Sequence, residues 1–256
     1  MAPPRSPAAG VLGALGLGLL GGCGGAAPLL HTAHPLPEGQ YTVGAGTAAS
    51  FNVGTPTVSA GGVSPEDAVV EAASVAPGFA PWVGARVGLD GAFDAGLLYT
   101  ARTVRADARR AFVFGEDDSF AASIGLGASG LLPNRQDDFG VRVGGFGGDL
   151  PILVGYRSTA DIYAVYVGAR FGAEFLNGQR ELPPVDGTDE IPPNEPIRGW
   201  HVYTGGLAGF RVGFRYLYAA FELGGDMHWA EASIAERDGV FSVFALRPGG
   251  ALVARF

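Results

Sequence analysis

The sequence predicts an all-β fold, a closed antiparallel up-and-down transmembrane β-barrel of about ten strands, with eight or twelve left open. Three observations carry this. Long segments alternate with period two, which is strand rather than helix periodicity. In 161–175, Tyr163, Val165, Val167, Phe171 and Phe175 share one face, and Tyr166, Gly168, Arg170, Gly172 and Glu174 the other. These runs are about nine to thirteen residues long, whereas a globular sandwich uses about five or six and a tilted membrane strand about nine to eleven. Finally, only 16% of residues are charged, against about 25% for a soluble domain, and mean hydropathy is +0.22. Apolar surface must face something other than water, and in lipid strands can cross only as a closed barrel.

The elements follow in order. Residues 1–22 read as a signal peptide: Arg5 is the one charge, and the apolar run Val11–Leu20 is too short to span a bilayer. Leu19-Leu20-Gly21-Gly22-Cys23 resembles the lipobox of bacterial lipoproteins. That resemblance implies cleavage before Cys23 and diacylation of its sulfur. Residues 23–40 would then be a lipidated N-terminal linker and 41–256 the barrel domain. Gly24 in place of Asp implies no retention at the inner membrane. The alternative is an ordinary signal peptide with a cysteine at its cleavage site.

Strand segments are expected at 41–53, 82–90, 120–128, 161–175 and 215–225. The stretch 91–114 reads as one strand or two, and 139–157 is interrupted by Pro151. Short turns are expected at Asp90-Gly91, 116–118, 158–161 and 211–213. Longer connections are expected at 54–79, near 104–107, and at 132–138, 176–198 and 226–240. Ser64-Pro65-Glu66-Asp67 reads as an N-cap, a Pro at N1 and early acids, so a short helix over 65–74 is expected in an outer loop.

The small-residue face carries Arg86, Asp94, Arg102, Arg170, Glu174, Glu222 and Arg255, which are expected to pair across a narrow lumen as a charge network. The alternative is a charged pore lining, but a wide channel does not suit about ten strands. Trp82, Trp200 and Trp229 sit at strand ends, where indole suits a membrane interface girdle. His201 and His228 could form a catalytic pair, but as neighbours of tryptophan they read better as interfacial. No nucleophile elbow follows a strand, and Gly205-Gly206-Leu207-Ala208-Gly209 has no helix after it to make a phosphate loop.

No metal or other cofactor is expected. His31 and His34 in the linker lack further ligands, and the acids at 116–118 and Asp186, Asp189, Glu190 and Glu195 lack EF-hand spacing. A net charge of −8, becoming −9 without the leader's Arg5, argues against nucleic acid. A single cysteine excludes an internal disulfide.

The ending Leu252-Val253-Ala254-Arg255-Phe256 resembles the terminal assembly signal of bacterial outer-membrane barrels, with Phe256 as its aromatic end. The segment 36–51 (LPEGQYTVGAGTAASF) looks like the first strand of uncharacterised outer-membrane barrels with lipoprotein-like leaders. This resemblance implies the cell outer membrane of a Gram-negative bacterium, lipid anchoring at Cys23, and membrane lipids and the outer-membrane assembly machinery as partners. It also implies a non-enzymatic structural, surface or narrow-passage role. Two alternatives remain. A soluble barrel lipoprotein binding an apolar ligand requires the aliphatic faces to point inward. A barrel enzyme acting on membrane lipids would use His201 and His228.

Overall fold

The computed structural model describes residues 27–57, 64–136, 140–182, 193–235 and 237–256. Ten strands form one closed sheet: β1 (Tyr41–Thr57), β2 (Gly78–Gly88), β3 (Phe93–Thr100), β4 (Thr103–Phe114), β5 (Phe120–Gln136), β6 (Val141–Arg157), β7 (Tyr163–Arg180), β8 (Glu195–Phe214), β9 (Leu217–Ile234) and β10 (Arg237–Arg255). Each pairs antiparallel with its neighbour in sequence. β1 and β10 close the ring through pairs from Thr42↔Arg255 to Phe51↔Leu246. The barrel and its strand number are those the alternation predicts. The leader, Cys23 and the acids Asp186, Asp189 and Glu190 lie outside the described residues.

The errors of position share one cause. β9 continues to Ile234 and β10 starts at Arg237, so the expected long connection over 226–240 is a tight turn. Its inward residues Asp226 and His228 are polar, so the apolar alternation fades while the strand goes on. Likewise the turn expected near 104–107 lies at 101–102, and Arg105 and Arg109 of β4 point inward. The turn expected at 211–213 lies at 215–216, beyond the inward-facing Arg211. Pro151 does sit inside β6. The β5 pairing lapses between Ile124↔Ile152 and Gly127↔Asp149, while on the other side Pro151↔Arg170 keeps the ladder with β7. One side of the strand absorbs the missing N–H.

The aliphatic and aromatic faces point outward. Val165 is 47% exposed and Phe171 50%, while Tyr166, Arg170 and Glu174 between and beside them are buried. This corrects the soluble-barrel expectation, which required those faces inside. On β9 the outward positions from Leu217 to Trp229 carry no charge, and Glu231 is the first that does. The twelve steps from Leu217 to Trp229 at ~3.3 Å each, tilted by ~45°, make an uncharged band about 28 Å tall.

Helix α1 (Pro65–Ser74) forms where the sequence places it. The Ser64 hydroxyl accepts from the Asp67 N–H at 3.0 Å, and the Asp67 carboxylate accepts from the Ser64 N–H at 3.0 Å, a reciprocal capping box. The helix does not stand out in a loop. Val69, Val70 and Ala73 pack onto Val141, Leu176, Ile197, Ile234 and Phe241, the inward residues at that end of the barrel. α1 therefore stoppers the lumen.

Candidate functional site, the occupied lumen

The segment before β1 turns back into the barrel from the end that carries the turns 89–92, 115–119, 158–162 and 215–216. Residues 27–30, 32–34 and 36 are buried. Because this segment is in neither helix nor strand, its backbone groups have no helix or ladder to satisfy them, and the wall must supply partners. The Glu222 carboxylate accepts the Leu29 and Leu30 N–H groups at 2.8 and 2.9 Å, and the Tyr166 hydroxyl donates to it at 2.9 Å. The Ala27 carbonyl accepts from Arg170 at 2.6 Å, and the Pro28 carbonyl from the Trp82 indole at 3.0 Å. Arg109 donates to the carbonyls of Thr32 and His34, and Asp94 accepts the Leu36 N–H at 3.2 Å.

Two glycines make room for the lumen's rings. An added Cβ on Gly172 would lie 2.1 Å from the Tyr203 ring, and one on Gly209 would lie 2.3 Å from the Tyr166 ring. Any side chain at either position would displace a buried tyrosine.

Ion pairs behind the segment link strands across the lumen. Asp94 is shared by Arg86 and by Arg109, which binds it through two nitrogens at 2.7 and 2.8 Å. Asp107 bridges Arg86 and Arg105. Asp149 takes Arg105 at 2.8 Å and Arg170 at 2.7 Å. The expected network is thus present for Arg86, Asp94 and Arg170, and larger than the sequence suggested. Asp107, Asp149, Arg105, Arg109, Asp226 and Arg247 were missed. β4 carries Arg105, Asp107 and Arg109 at period two, and fixing its phase would have found them.

Other members of the expected network have different partners. Glu174 accepts from, or shares a proton with, His201 at 2.9 Å, and Glu222 serves the N-terminal segment rather than an arginine. Arg102 lies in the β3–β4 turn and donates to the Ala72 carbonyl of α1 at 2.7 Å. Arg255 lies at the opposite rim on Asp161.

The histidine expectation is corrected. His201 and His228 are fully buried in the lumen, not interfacial. His201 Nε2 lies 2.9 Å from His228 Nδ1, completing a chain Glu174–His201–His228. Among the described residues no group of three or more His, Cys, Asp or Glu side chains is placed to hold a metal.

Trp82 is also corrected: it is 5% exposed and faces the lumen, where it holds Pro28. Trp200 and Trp229 do face outward, and Trp200 is paired with Glu231, where the uncharged band ends. The belt at the other end is made of Phe and Tyr, which the sequence reading did not single out. Tyr41 stacks on Phe256 at 5.2 Å between centroids, and Phe114, Phe120, Tyr156 and Tyr163 continue the series. Leu252 and Phe256 face outward and Val253 inward, as their alternation predicts.

The turn-side rim holds Asp161 in the β6–β7 turn. Arg211 donates to it at 2.8 Å, Arg255 also binds it, and the Tyr218 hydroxyl donates at 3.3 Å. Burial works against its ionisation, but Arg211 and Arg255 outweigh burial and hold its pKa below the ordinary carboxylate value. His34 is pushed down to about 4 by burial and then by Arg157.

No family model matches the chain, and no curated protein does. Among solved structures it is similar to Neisserial surface protein A, at 11% identity and a TM-score of 0.35, covering 86% of this chain and 100% of that one. It is also similar to the copper transporter OprC, at 12% identity and a TM-score of 0.34, covering 78% of this chain but only 30% of the transporter. A third is the CymD monoaromatic hydrocarbon channel, at 10% identity and a TM-score of 0.18, covering 86% of this chain and 89% of the channel. The barrel assignment rests on this chain's own closed strand pairing.

Proposed function

We propose that this chain is a non-conducting, non-enzymatic outer-membrane barrel with a structural or surface role, its lumen shut by its own N-terminal segment. The observation that carries the reading is the set of wall groups spent on that segment's backbone: Glu222, Asp94, Arg109, Arg170 and Trp82. A passage for solutes would leave such groups to solvent or cargo. The uncharged outer band, the aromatic belt and the outward Phe256 support membrane insertion through the assembly machinery. In planar bilayers the full chain is expected to give no steady conductance. Stable unitary steps from the unmodified protein would overturn the reading.

A lipid on Cys23 is an alternative to this reading rather than a part of it, because the fold sets the reach of the chain. Pro28 lies against Gly249, which pairs with Ala48, seven residues up from Tyr41. Seven tilted residues amount to ~17 Å of depth, while the four residues from Cys23 to Ala27 reach at most ~14 Å. An acylated Cys23 in the leaflet and a seated Ala27–Leu30 stretch therefore exclude each other. The intact mass of the mature protein decides whether the lipid is present.

A further inference from the structure

We propose that the turn-side mouth of the lumen is a binding site for a phosphate that carries a protonated oxygen, either orthophosphate or a phosphate monoester. A cavity of about 40 Å³ lies there between the N-terminal segment and the rim, and His31, His34, Arg157, Arg211 and Arg255 are among its lining. That is room for a few waters or one small oxyanion.

The rim is over-supplied with positive charge. Arg157, Arg211 and Arg255 face one carboxylate, Asp161, a balance of 3 − 1 = +2. The Arg157 guanidinium has no hydrogen-bond or ion-pair partner among the described residues. The acids Asp117 and Asp118 of the nearby turn are exposed to solvent and do not line the cavity.

The second observation is a set of buried polar atoms without partners, each on a side chain lining this cavity: His31 Nε2, His34 Nδ1 and Arg211 Nε. Buried polar groups are nearly always satisfied, so three together point to a missing ligand. Their chemistry identifies it. His34 Nε2 lies 3.1 Å from the Ser119 carbonyl and must donate, so in the neutral ring Nδ1 is an acceptor. His31 Nδ1 lies 2.9 Å from Arg109 and must accept, so its Nε2 is a donor. Arg211 Nε and the Arg157 fork are donors.

Several donors and one buried acceptor suit an oxyanion that both accepts and donates. Hydrogen phosphate has the needed P–OH at pH 7.5, and a phosphate monoester has it as the monoanion, below its second pKa of about 6, whereas sulfate and phosphodiesters do not. The site does not depend on whether the lumen conducts.

The test uses the full chain in zwitterionic detergent at pH 7.5, titrated calorimetrically with inorganic phosphate and, separately, inorganic sulfate. Phosphate is expected to bind at least about tenfold tighter than sulfate, a difference of ~1.4 kcal/mol. Arg157→Gln, which breaks no contact in the structure, is expected to weaken phosphate binding about tenfold while keeping the wild-type heat-modifiable migration of a closed barrel. Micelles doped with phosphatidic acid, a lipid monoester, separate the sources when the phosphate titration is repeated at about pH 6, where the monoester's monoanion is populated. Competition with phosphate identifies a headgroup as a ligand, and its absence a soluble phosphate; either outcome supports the site. No phosphate heat at millimolar concentration, equal affinity for sulfate, or unchanged binding by Arg157→Gln each overturns the proposal.

Discussion

The two ends of the lumen are closed by different physics. At one end α1 satisfies most of its own backbone hydrogen bonds, so the wall can meet its centre with the apolar Val141, Leu176, Ile197, Ile234 and Phe241, and polar contacts such as Arg102 on the Ala72 carbonyl and Asp67 on the Val240 N–H stay at its ends. At the other end the segment 27–36 is in neither helix nor strand and satisfies almost nothing internally. There the wall must supply carboxylates for N–H groups and guanidinium or indole groups for carbonyls. Whether a stopper is helical thus dictates whether the barrel interior is oily or ionic.

The comparison is broken most severely at Asp149. It is buried and neutralises Arg105 and Arg170, and Arg170 in turn holds the Ala27 carbonyl. Asp149→Ala leaves two guanidinium groups facing each other without their shared anion. Removing one partner of a buried pair costs about 3–5 kcal/mol. Urea unfolding of the refolded barrel is expected to show a loss of that size. A loss under about 1 kcal/mol would mean that the ionic end is wet and that the contrast between the ends is false.

The apolar end is expected to respond less. Val70 is fully buried between α1 and the wall. Val70→Ala removes two methyl groups at ~0.8 kcal/mol each and leaves a small void, a loss of about 2 kcal/mol. If this variant proves as damaging as Asp149→Ala in the same unfolding assay, the helix is a larger anchor than its contacts suggest.

These two sites also show what a reader of the sequence could and could not see. The outward faces of β1, β7 and β9 were legible because lipid-facing positions must be apolar and alternate strictly, as at Val165, Val167 and Phe221. α1 was legible because Ser64, Pro65 and Asp67 announce a helix start locally. The ionic end was only half legible. Arg86, Asp94 and Arg170 sit in strands whose apolar faces fix the phase, but Asp107, Arg109 and Asp149 sit where inward charge or Pro151 hides the alternation. The destination of residues 27–36 was not legible at all. A short apolar segment reads as a linker, and its partners Glu222 and Tyr166 are about 190 and 135 residues further along the chain. Trp82, unlike Trp200 and Trp229, failed for a related reason: position near a strand end does not say which face a residue is on, and Trp82 falls on the inner one.

A smaller effect tests the helical stopper at its start. Ser64→Ala removes one half of the capping box and leaves the Asp67 N–H without its acceptor. The expected cost is ~1 kcal/mol. Hydrogen exchange of the α1 amides should rise while that of β7 and β8 stays constant. Uniform loosening of the whole barrel would instead show that α1 and the wall open together.

The smallest effect at neutral pH, and the most specific to the polar stopper, concerns His34. Its pKa is lowered to about 4 by burial and then by Arg157, against about 6.5 in an unfolded chain. The folded state therefore binds fewer protons than the unfolded state between these values, and stability must fall as pH falls through that window. The helical stopper itself carries no histidine: α1 contributes Val69, Val70 and Ala73 to its contact. Between pH 7 and 4.5 the wild-type barrel should lose stability with a slope that His34→Gln reduces but does not abolish, because burial and then Arg86 also hold His31 of the same segment well below its ordinary value, while Val70→Ala shifts the curve down without changing its shape. Asp161 adds no slope above its unfolded pKa of ~3.9. Its lowered folded value means that its contribution is fully present there and is lost only as pH falls further. A slope left unchanged by His34→Gln would remove His34 from the stopper's energetics.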